Sequence, residues 1–355
     1  MIAKHTLSMT PDYVLSWGIW EAVRELLQNA IDQHTEDAQS DVVFEYDPSE
    51  QRLTVGATNC TLEPKTLLLG ASTKACNRQA IGQFGEGYKL ALLVLARASY
   101  EVIVRNGAEV WKPAFEFSDE YRSSVLTVSR YKAEEPTDGV FFDIRDVSQD
   151  DYAKVTERYI PGVPLNRILY EDHLRKRVFV SGLFVCEVEE LEYGYNFGPD
   201  RLLLDRDRGM ASHWDISYEA SRLWDQSGDD EALYKNLKAG KPDTAHVRLP
   251  NATTNAYVME QYLAETPSAI PVATDEEASR MLRTGHVVRK VPSPLRDTLR
   301  RMHKFVFNRE GTPTERLERF QHQFGRLLCA EGKRELEAIV KASVNWTGPP
   351  ELAGE

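Results

Sequence analysis

Three polar residues at the spacing of a helical stripe carry the strongest chemical signal in this sequence. Glu25, Asn29 and Asp32 stand at positions i, i+4 and i+7 of the segment 19–32, whose apolar residues recur at a helical period. Their side chains would therefore follow one narrow side of a helix. A carboxamide oxygen can bind a divalent cation, and a nearby carboxylate can act as a general base on water. Taken alone, the stripe fits a solvated face of a core helix better.

A glycine-rich segment further along the chain could approach phosphate oxygens. Gly82, Gly85 and Gly87 follow the pattern G-x-x-G-x-G and are succeeded by Tyr88, Lys89 and an apolar stretch. Because glycine has no side chain, backbone N–H groups in such a segment can come close to a phosphate, and a lysine would add charge. The spacing is the reverse of the dinucleotide-binding pattern, and no strand precedes it. A Rossmann domain is therefore excluded.

A short segment just upstream carries two hydroxyl groups and a lysine, in Ser72, Thr73 and Lys74. Such groups can contact a phosphate, cap a helix or face the solvent. By themselves they favour none of these interpretations.

Alternating apolar and polar residues predict strands around these motifs. The predicted strands of the first half of the chain are 42–46, 52–55, 100–105, 110–117, 125–130, 140–144, 177–180 and 183–188. Asn106-Gly107, Asp138-Gly139 and Ser181-Gly182 are dipeptides typical of hairpin turns. We therefore predict an α+β protein, with a sheet and an amphipathic helix in its first part.

Changes in pattern divide the chain into three predicted regions. Residues 1–165 mix strands with the helix 19–32, and a Pro/Gly-bearing segment ends this region. Residues 166–250 open with a hairpin and continue as polar, helical sequence, which predicts a smaller α/β domain. Residues 251–355 are predicted to be mostly helical.

Composition and charge limit the possible classes of protein. The 355 residues carry a formal charge of −12, and 42% of them are hydrophobic, as in an ordinary globular protein. No apolar run approaches the roughly 20 residues of a membrane span, the start of the chain lacks the apolar core of a signal peptide, and the cysteines are isolated. These features predict a cytoplasmic protein without a membrane partner.

One segment opposes the overall acidity. Residues 283–334 contain 13 Lys and Arg but only 5 Asp and Glu. A basic face of this kind could bind nucleic acid, or it could dock on acidic residues of the same chain or remain solvated. Other catalytic motifs are missing: the sequence contains no H-E-x-x-H, no G-x-S-x-G and no Walker P-loop.

Taken together and in this order, the three motifs resemble those of the GHKL ATPases, the superfamily of gyrase, the large heat-shock chaperone, histidine kinases and MutL. Residues 24–32 resemble the N-box of that superfamily. Residues 70–74 and 81–89 resemble its lid and phosphate-binding box. The resemblance implies a Bergerat-type α/β sandwich in the first region, in which helices cover one face of a mixed sheet, and it implies ATP and Mg²⁺ as cofactors.

The same resemblance implies roles for individual residues. Glu25 would be the general base that activates water, Asn29 would bind Mg²⁺, and Asp32 would orient the pocket. The glycines would let a lid close over the phosphates. The remaining implied nucleotide contacts are Ser72, Thr73, Lys74, Gly82, Gly85, Gly87, Tyr88 and Lys89.

The sequence departs from the superfamily where the base should be recognised. The superfamily has an aspartate that accepts a hydrogen bond from adenine, but this chain has Ala57. Asn59 could substitute, since a carboxamide both donates and accepts hydrogen bonds. The last strand of the superfamily often carries Gly-Thr, whereas Gly139-Val140 stands here, with Thr137 just before it. The phosphate motifs are thus retained, and the identity of the base is open.

The second region carries a dense alternation of charges at 205–208. Arg206 or Arg208 could reach the γ-phosphate as a sensor, or this Asp-Arg-Asp-Arg segment could form a structural ion-pair network. Together with the aromatic-rich segment 193–197, it is similar to phage-encoded proteins of the rIIA type. That similarity implies the host cytoplasm as location.

The leading prediction is Mg²⁺-dependent ATP binding with slow hydrolysis, which would drive lid closure, formation of a homodimer and action on a macromolecular partner. A protein kinase of the same superfamily is an alternative. A second alternative is a non-enzymatic module gated by nucleotide, such as a clamp on nucleic acid through residues 283–334 or an inhibitor of a host factor.

Overall fold

The computed structural model describes residues 1–68, 87–202, 204, 212–249, 251–267, 269–283 and 285–302, and a few residues between 332 and 339. The chain forms two compact units, Met1–Leu223 and Trp224–Glu355. The segment 166–223, predicted to begin a separate domain, belongs to the first unit.

A seven-stranded sheet organises the first unit. Its strands are β1 (Ala3–Thr6), β2 (Val42–Asp47), β3 (Arg52–Thr58), β4 (Val102–Asn106), β5 (Glu109–Ser118), β6 (Ser123–Lys132) and β7 (Gly139–Ile144). They lie in the order β1-β6-β5-β4-β7-β3-β2. All six neighbouring pairs are antiparallel. The resemblance implied a mixed sheet, and that part of the prediction is wrong. The α+β class itself is confirmed.

Two helices, α1 (Ile19–Glu36) and α2 (Gly87–Arg97), pack on one face of this sheet, and α3 (Gln149–Thr156) follows β7. At the start of α1, the Glu21 carboxylate accepts a hydrogen bond from the Gly18 N–H at 2.8 Å, which satisfies one otherwise open donor. The apolar stripe of α1 and nearly all of α2 are buried against the inward-facing side chains of β3, β4 and β7. The core therefore fixes α1 and α2 side by side.

Arg97, at the end of α2, holds the segment that leads into α1. Its guanidinium donates to four main-chain carbonyls, those of Pro11, Tyr13, Val14 and Trp17, at 2.8–3.2 Å. Val14 in this segment has a φ of 49°, which is strained for a β-branched residue. The arginine thus supports a backbone that would not hold this conformation by itself.

The turn predictions had different outcomes. Asn106-Gly107 does connect β4 to β5, as predicted. Asp138-Gly139 does not form a hairpin with β6, because β7 pairs with β3 and β4 instead, and the prediction is wrong. A turn dipeptide marks a change of direction but does not choose the partner strand.

A four-stranded sheet completes the first unit. It contains β8 (Arg167–Leu169), β9 (Arg177–Val180), β10 (Leu183–Glu187) and β11 (Gly194–Phe197), in the order β10-β9-β11-β8. The hairpin predicted at Ser181-Gly182 is confirmed, and both residues have positive φ. Buried Asn196 accepts from the Gly182 N–H and donates to the carbonyls of Val163 and Pro164, which ties the sheet together.

The second unit is mostly helical over its described residues, as predicted. The unit boundary falls within α4 (His213–Ser227), and α5 (Asp230–Ala239), α6 (Ala252–Glu265), α7 (Asp275–Arg283) and α8 (Ser293–Arg301) follow. Two short parallel strands, β12 (Ile270–Val272) and β13 (Val288–Lys290), flank α7 and were not predicted. None of the helices among the described residues has the length and apolar character that a membrane crossing requires.

Candidate functional site

The predicted stripe lies on α1, and most of it is withdrawn from solvent. Glu25 is 7% exposed and Asp32 is 1% exposed, while Asn29 is partly buried. Carboxylates are rarely buried without a specific role or partner, because burial disfavours their charge. The solvated face that the pattern alone favoured is therefore not what the structure has.

Asn29 uses only its amide nitrogen within the helix. Nδ2 donates to the backbone carbonyl of Glu25 at 2.8 Å, one turn earlier. The amide oxygen is then the atom that Asn29 could offer to a cation, and Mg²⁺ prefers oxygen ligands. Among the described residues, no group of three His, Cys, Asp or Glu side chains could hold a metal by itself. A magnesium site here would depend on phosphate oxygens and water for its other ligands.

Gly87, the described glycine of the G-x-x-G-x-G segment, lies against the stripe on α1. A Cβ atom added at Gly87 would lie 2.4 Å from Oε2 of Glu25, well inside van der Waals contact. The backbone at the start of α2 therefore approaches the carboxylate more closely than any residue with a side chain would allow. Gly87 and Glu25, which lie about 60 residues apart in the sequence, are thus in contact in the structure.

Arg24 is a neighbour of Glu25 that sequence reasoning missed. Its Nη2 lies 3.2 Å from Oε1 of Glu25, and the arginine side chain is almost fully buried. Arg24 and the equally buried Gln28 line a small cavity between α1 and the β9–β10 hairpin. The only signal in the sequence was an arginine directly before Glu25, the predicted general base. Adjacent residues on a helix point in different directions, so this signal did not predict a contact.

Tyr88 and Lys89 were expected near the phosphates, and the structure places both in the interior. Lys89 is fully buried, and its Nζ donates to the carbonyls of Thr66, at 2.8 Å, and Leu68. The Tyr88 hydroxyl lies 2.9 Å from Oγ1 of Thr66. Burial raises the pKa of Tyr88 to about 12, so the phenol is neutral at physiological pH.

The residues of the altered base box lie near the other end of α1. Thr58 is paired with Gly139, so that Ala57 and Asn59 come close to the segment 137–139, and the Asn59 N–H donates to the carbonyl of Asp138. A Cβ at Gly139 would lie 2.4 Å from the Ala57 carbonyl oxygen, which explains the glycine there. The sequence could not show that its two departures from the superfamily occupy one place.

Asn59 itself is exposed at this position. Its φ is 54°, a conformation that asparagine tolerates well, and its Nδ2 donates to Oδ2 of Asp37 at 2.7 Å. Asp37 directly follows α1, and Thr137 nearby is half-buried. To contact a base, Asn59 would have to use its amide oxygen or release Asp37.

Several predicted site residues lie outside the described part of the chain, and their arrangement stays a prediction. These residues are Ser72, Thr73, Lys74, Gly82, Gly85, Arg206 and Arg208.

Most of the described cations of the basic segment form ion pairs within their own unit. Each lysine and arginine between 288 and 301 has a partner within 3.2 Å. The pairs are Arg289–Glu265, Lys290–Asp275, Arg296–Glu277, Arg300–Glu277 and Arg301 with the carbonyl of Val247. For the four residues that pair with acids, this arrangement favours docking on the chain's own acids over binding of nucleic acid.

Comparison with known proteins adds no family to this description. No family model matches the chain, and no curated protein matches it.

Proposed function

We propose that the chain binds a nucleoside triphosphate with Mg²⁺ between α1 and the start of α2, and that it hydrolyses the triphosphate slowly. The observation that carries this proposal is the approach of Gly87 to the buried carboxylate of Glu25. A phosphate close to both would have backbone N–H groups on one side and a base for water on the other.

The start of α2 suits an anion for two reasons. Its 11 residues form a helix long enough to have a positive end, and its first turn contains no acidic residue. Among the described residues, the nearest carboxylate of the site belongs to Glu25, which would repel a bare phosphate. Magnesium, when bound, would neutralise phosphate charge, and Asn29 could hold it through its amide oxygen.

Glu25 is the residue placed to take a proton from water. Its Oε1 is held by Arg24 and its Oε2 lies against Gly87, so the carboxylate has little freedom to turn. A fixed base reduces the reorganisation needed to reach the transition state. Asp32, about two turns along α1, would orient the far part of the pocket.

ATP is the proposed nucleotide because of the resemblance to GHKL ATPases, and Asn59 is the proposed contact to the base. Formation of a homodimer on ATP binding and action on a macromolecular partner are part of the same proposal, as is the location in a cytoplasm. Each of these rests on the motifs alone.

A thermal-shift screen of purified protein with ATP, GTP and ADP, with and without Mg²⁺, tests binding. We expect ATP with Mg²⁺ to raise the unfolding temperature, because a ligand that binds only the folded state stabilises it. Glu25→Gln should retain this shift and lose phosphate release, while Glu36→Gln, an exposed residue at the end of the same helix, should retain both. A Glu25→Gln protein that releases phosphate at the parental rate contradicts the proposal.

The same preparation distinguishes the alternatives. Labelled γ-phosphate that appears on protein instead of free phosphate would support the kinase interpretation. Binding without any turnover would support the non-enzymatic module. Light scattering with a non-hydrolysable ATP analogue tests the homodimer, which should double the mass.

A further inference from the structure

A lysine with no exposed surface stands two residues after Gly87. The Lys89 ammonium group is withdrawn from water, and this costs several kcal/mol unless other groups replace the lost hydration. Its Nζ donates to the carbonyls of Thr66 and Leu68, and it lies 5.7 Å from the centre of the Tyr88 ring. Both of these carbonyls belong to the turn 64–68, which is a short 3-10 helix (Pro64–Leu67) and the residue after it.

Tyr88 makes a second bond to the same turn, and its direction can be assigned. The Thr66 hydroxyl donates its single proton to the carbonyl of Glu63 at 2.7 Å. Oγ1 of Thr66 must therefore accept from the Tyr88 hydroxyl. Consecutive residues of α2 thus donate to the turn 64–68 from a phenol and from an ammonium group.

These bonds join two places that are far apart in sequence. Leu68 directly precedes the segment 69–86, and Gly87 directly follows it, yet the Leu68 carbonyl accepts from Lys89. The residues on either side of the segment 69–86 are therefore joined by the buried ammonium group of Lys89. Gly87, which touches the Glu25 carboxylate, lies in the chain between the segment 69–86 and Lys89.

We propose that Lys89 is a positioning residue that fixes both ends of the segment 69–86 against each other, and so sets the position of Gly87, without contacting phosphate itself. The part of this inference that concerns nucleotide rests on the function proposed above. The part that concerns the turn 64–68 does not, and the two are tested separately.

Hydrogen exchange of the protein without nucleotide tests the structural part. In Lys89→Met the carbonyls of Thr66 and Leu68 lose their donor, so the turn should open more often. We expect the amides of Thr66 and Leu68, which close the 3-10 helix, to exchange at least about tenfold faster than in the parent. Unchanged exchange at these amides overturns the proposal.

Nucleotide affinity tests the positioning part. A residue that acts through Gly87 should weaken ADP and a non-hydrolysable ATP analogue by the same factor, about tenfold, so that their affinity ratio stays constant. A direct ligand of the terminal phosphate would weaken the ATP analogue far more than ADP, and that result overturns the proposal. If the parent binds no nucleotide, the proposed function fails, while the exchange result still decides the role of Lys89 in the turn.

Two further variants keep the test decisive. Lys65→Met is the matched control, because Lys65 lies in the same turn but is 63% exposed and pairs with Glu63. It should leave exchange and affinity unchanged. Tyr88→Phe removes only the bond to Thr66, and it should raise exchange in the turn in the same direction, by a smaller factor, even if Lys89→Met fails to fold.

Discussion

One methyl group added at Gly87 tests the contact on which the proposed site depends. The φ of Gly87 is not positive, so alanine can adopt its backbone conformation, and alanine is the better helix former by up to about 1 kcal/mol. The new Cβ would lie 2.4 Å from Oε2 of Glu25, whereas ordinary contact begins at 3.4 Å. The carboxylate must therefore retreat by about 1 Å, a displacement that can cost catalysis a factor of about 100.

We expect Gly87→Ala to separate catalysis from stability. The added Cβ pushes on a buried carboxylate that Arg24 holds, so the free energy of unfolding should fall by about 1–2 kcal/mol. The kcat for phosphate release should fall about 100-fold, because the base no longer faces its water at the same distance. Steady-state phosphate release and denaturant unfolding, measured on one preparation, give both quantities.

Gly18→Ala is the matched control. Gly18 precedes α1 as Gly87 begins α2, and its added Cβ would lie 3.6 Å from Oε2 of Glu21, which is ordinary contact. This variant should keep its turnover. A folded Gly87→Ala protein that releases phosphate at the parental rate would show that the position of the Glu25 carboxylate does not limit the reaction.

Two further predictions concern stability in each unit. Arg97→Gln removes the guanidinium that holds the carbonyls before α1, so the first unit should lose about 2 kcal/mol, or roughly 4–8 °C in Tm, measured by calorimetry; an unchanged Tm would contradict this role. In the second unit, burial raises the pKa of Glu277, but the Ala273 N–H, Arg296 and Arg300 outweigh burial and lower that pKa to about 2. Because folding lowers the pKa of Glu277, its ion pairs stabilise the folded state fully above the ordinary pKa of 4.5, and this stabilisation is lost as the pH falls towards about 2. Glu277→Gln should therefore lower the free energy of unfolding by about 1–2 kcal/mol at pH 7 and by almost nothing near pH 2. A pH-independent difference between the parent and Glu277→Gln in urea unfolding would refute the ion-pair argument.

Local pattern predicted most of the first unit. The strands from 42 to 144 were found because each is long enough to alternate several times, and the helix 19–32 because its apolar stripe is regular. β1, β12 and β13 have only three or four residues, too few for a period to be visible. The pairing of β7 with β3 and β4 could not be predicted either, because pairing between strands distant in sequence depends on the packing of the whole sheet.

The candidate site was predictable in its residue types but not in its contacts. The spacing of Glu25, Asn29 and Asp32 on one side of α1 follows from helical geometry. The approach of Gly87 to Glu25 depends on how α1 and α2 pack, which no local pattern contains. Lys89 was expected near the phosphates because it follows the glycine-rich segment, and only tertiary structure shows that it donates to the carbonyls of Thr66 and Leu68.

The position of β7 has a consequence for how the chain is made. This strand separates β3 from β4 in the sheet, although it is the last of the seven to leave the ribosome. Until residue 144 has emerged, β2–β3 and β4–β5–β6 are two sheets with open inner edges, and open edges invite pairing with other chains. Nascent chains that stop before Gly139 should therefore aggregate, and β7 completes the seven-stranded sheet in a single late step.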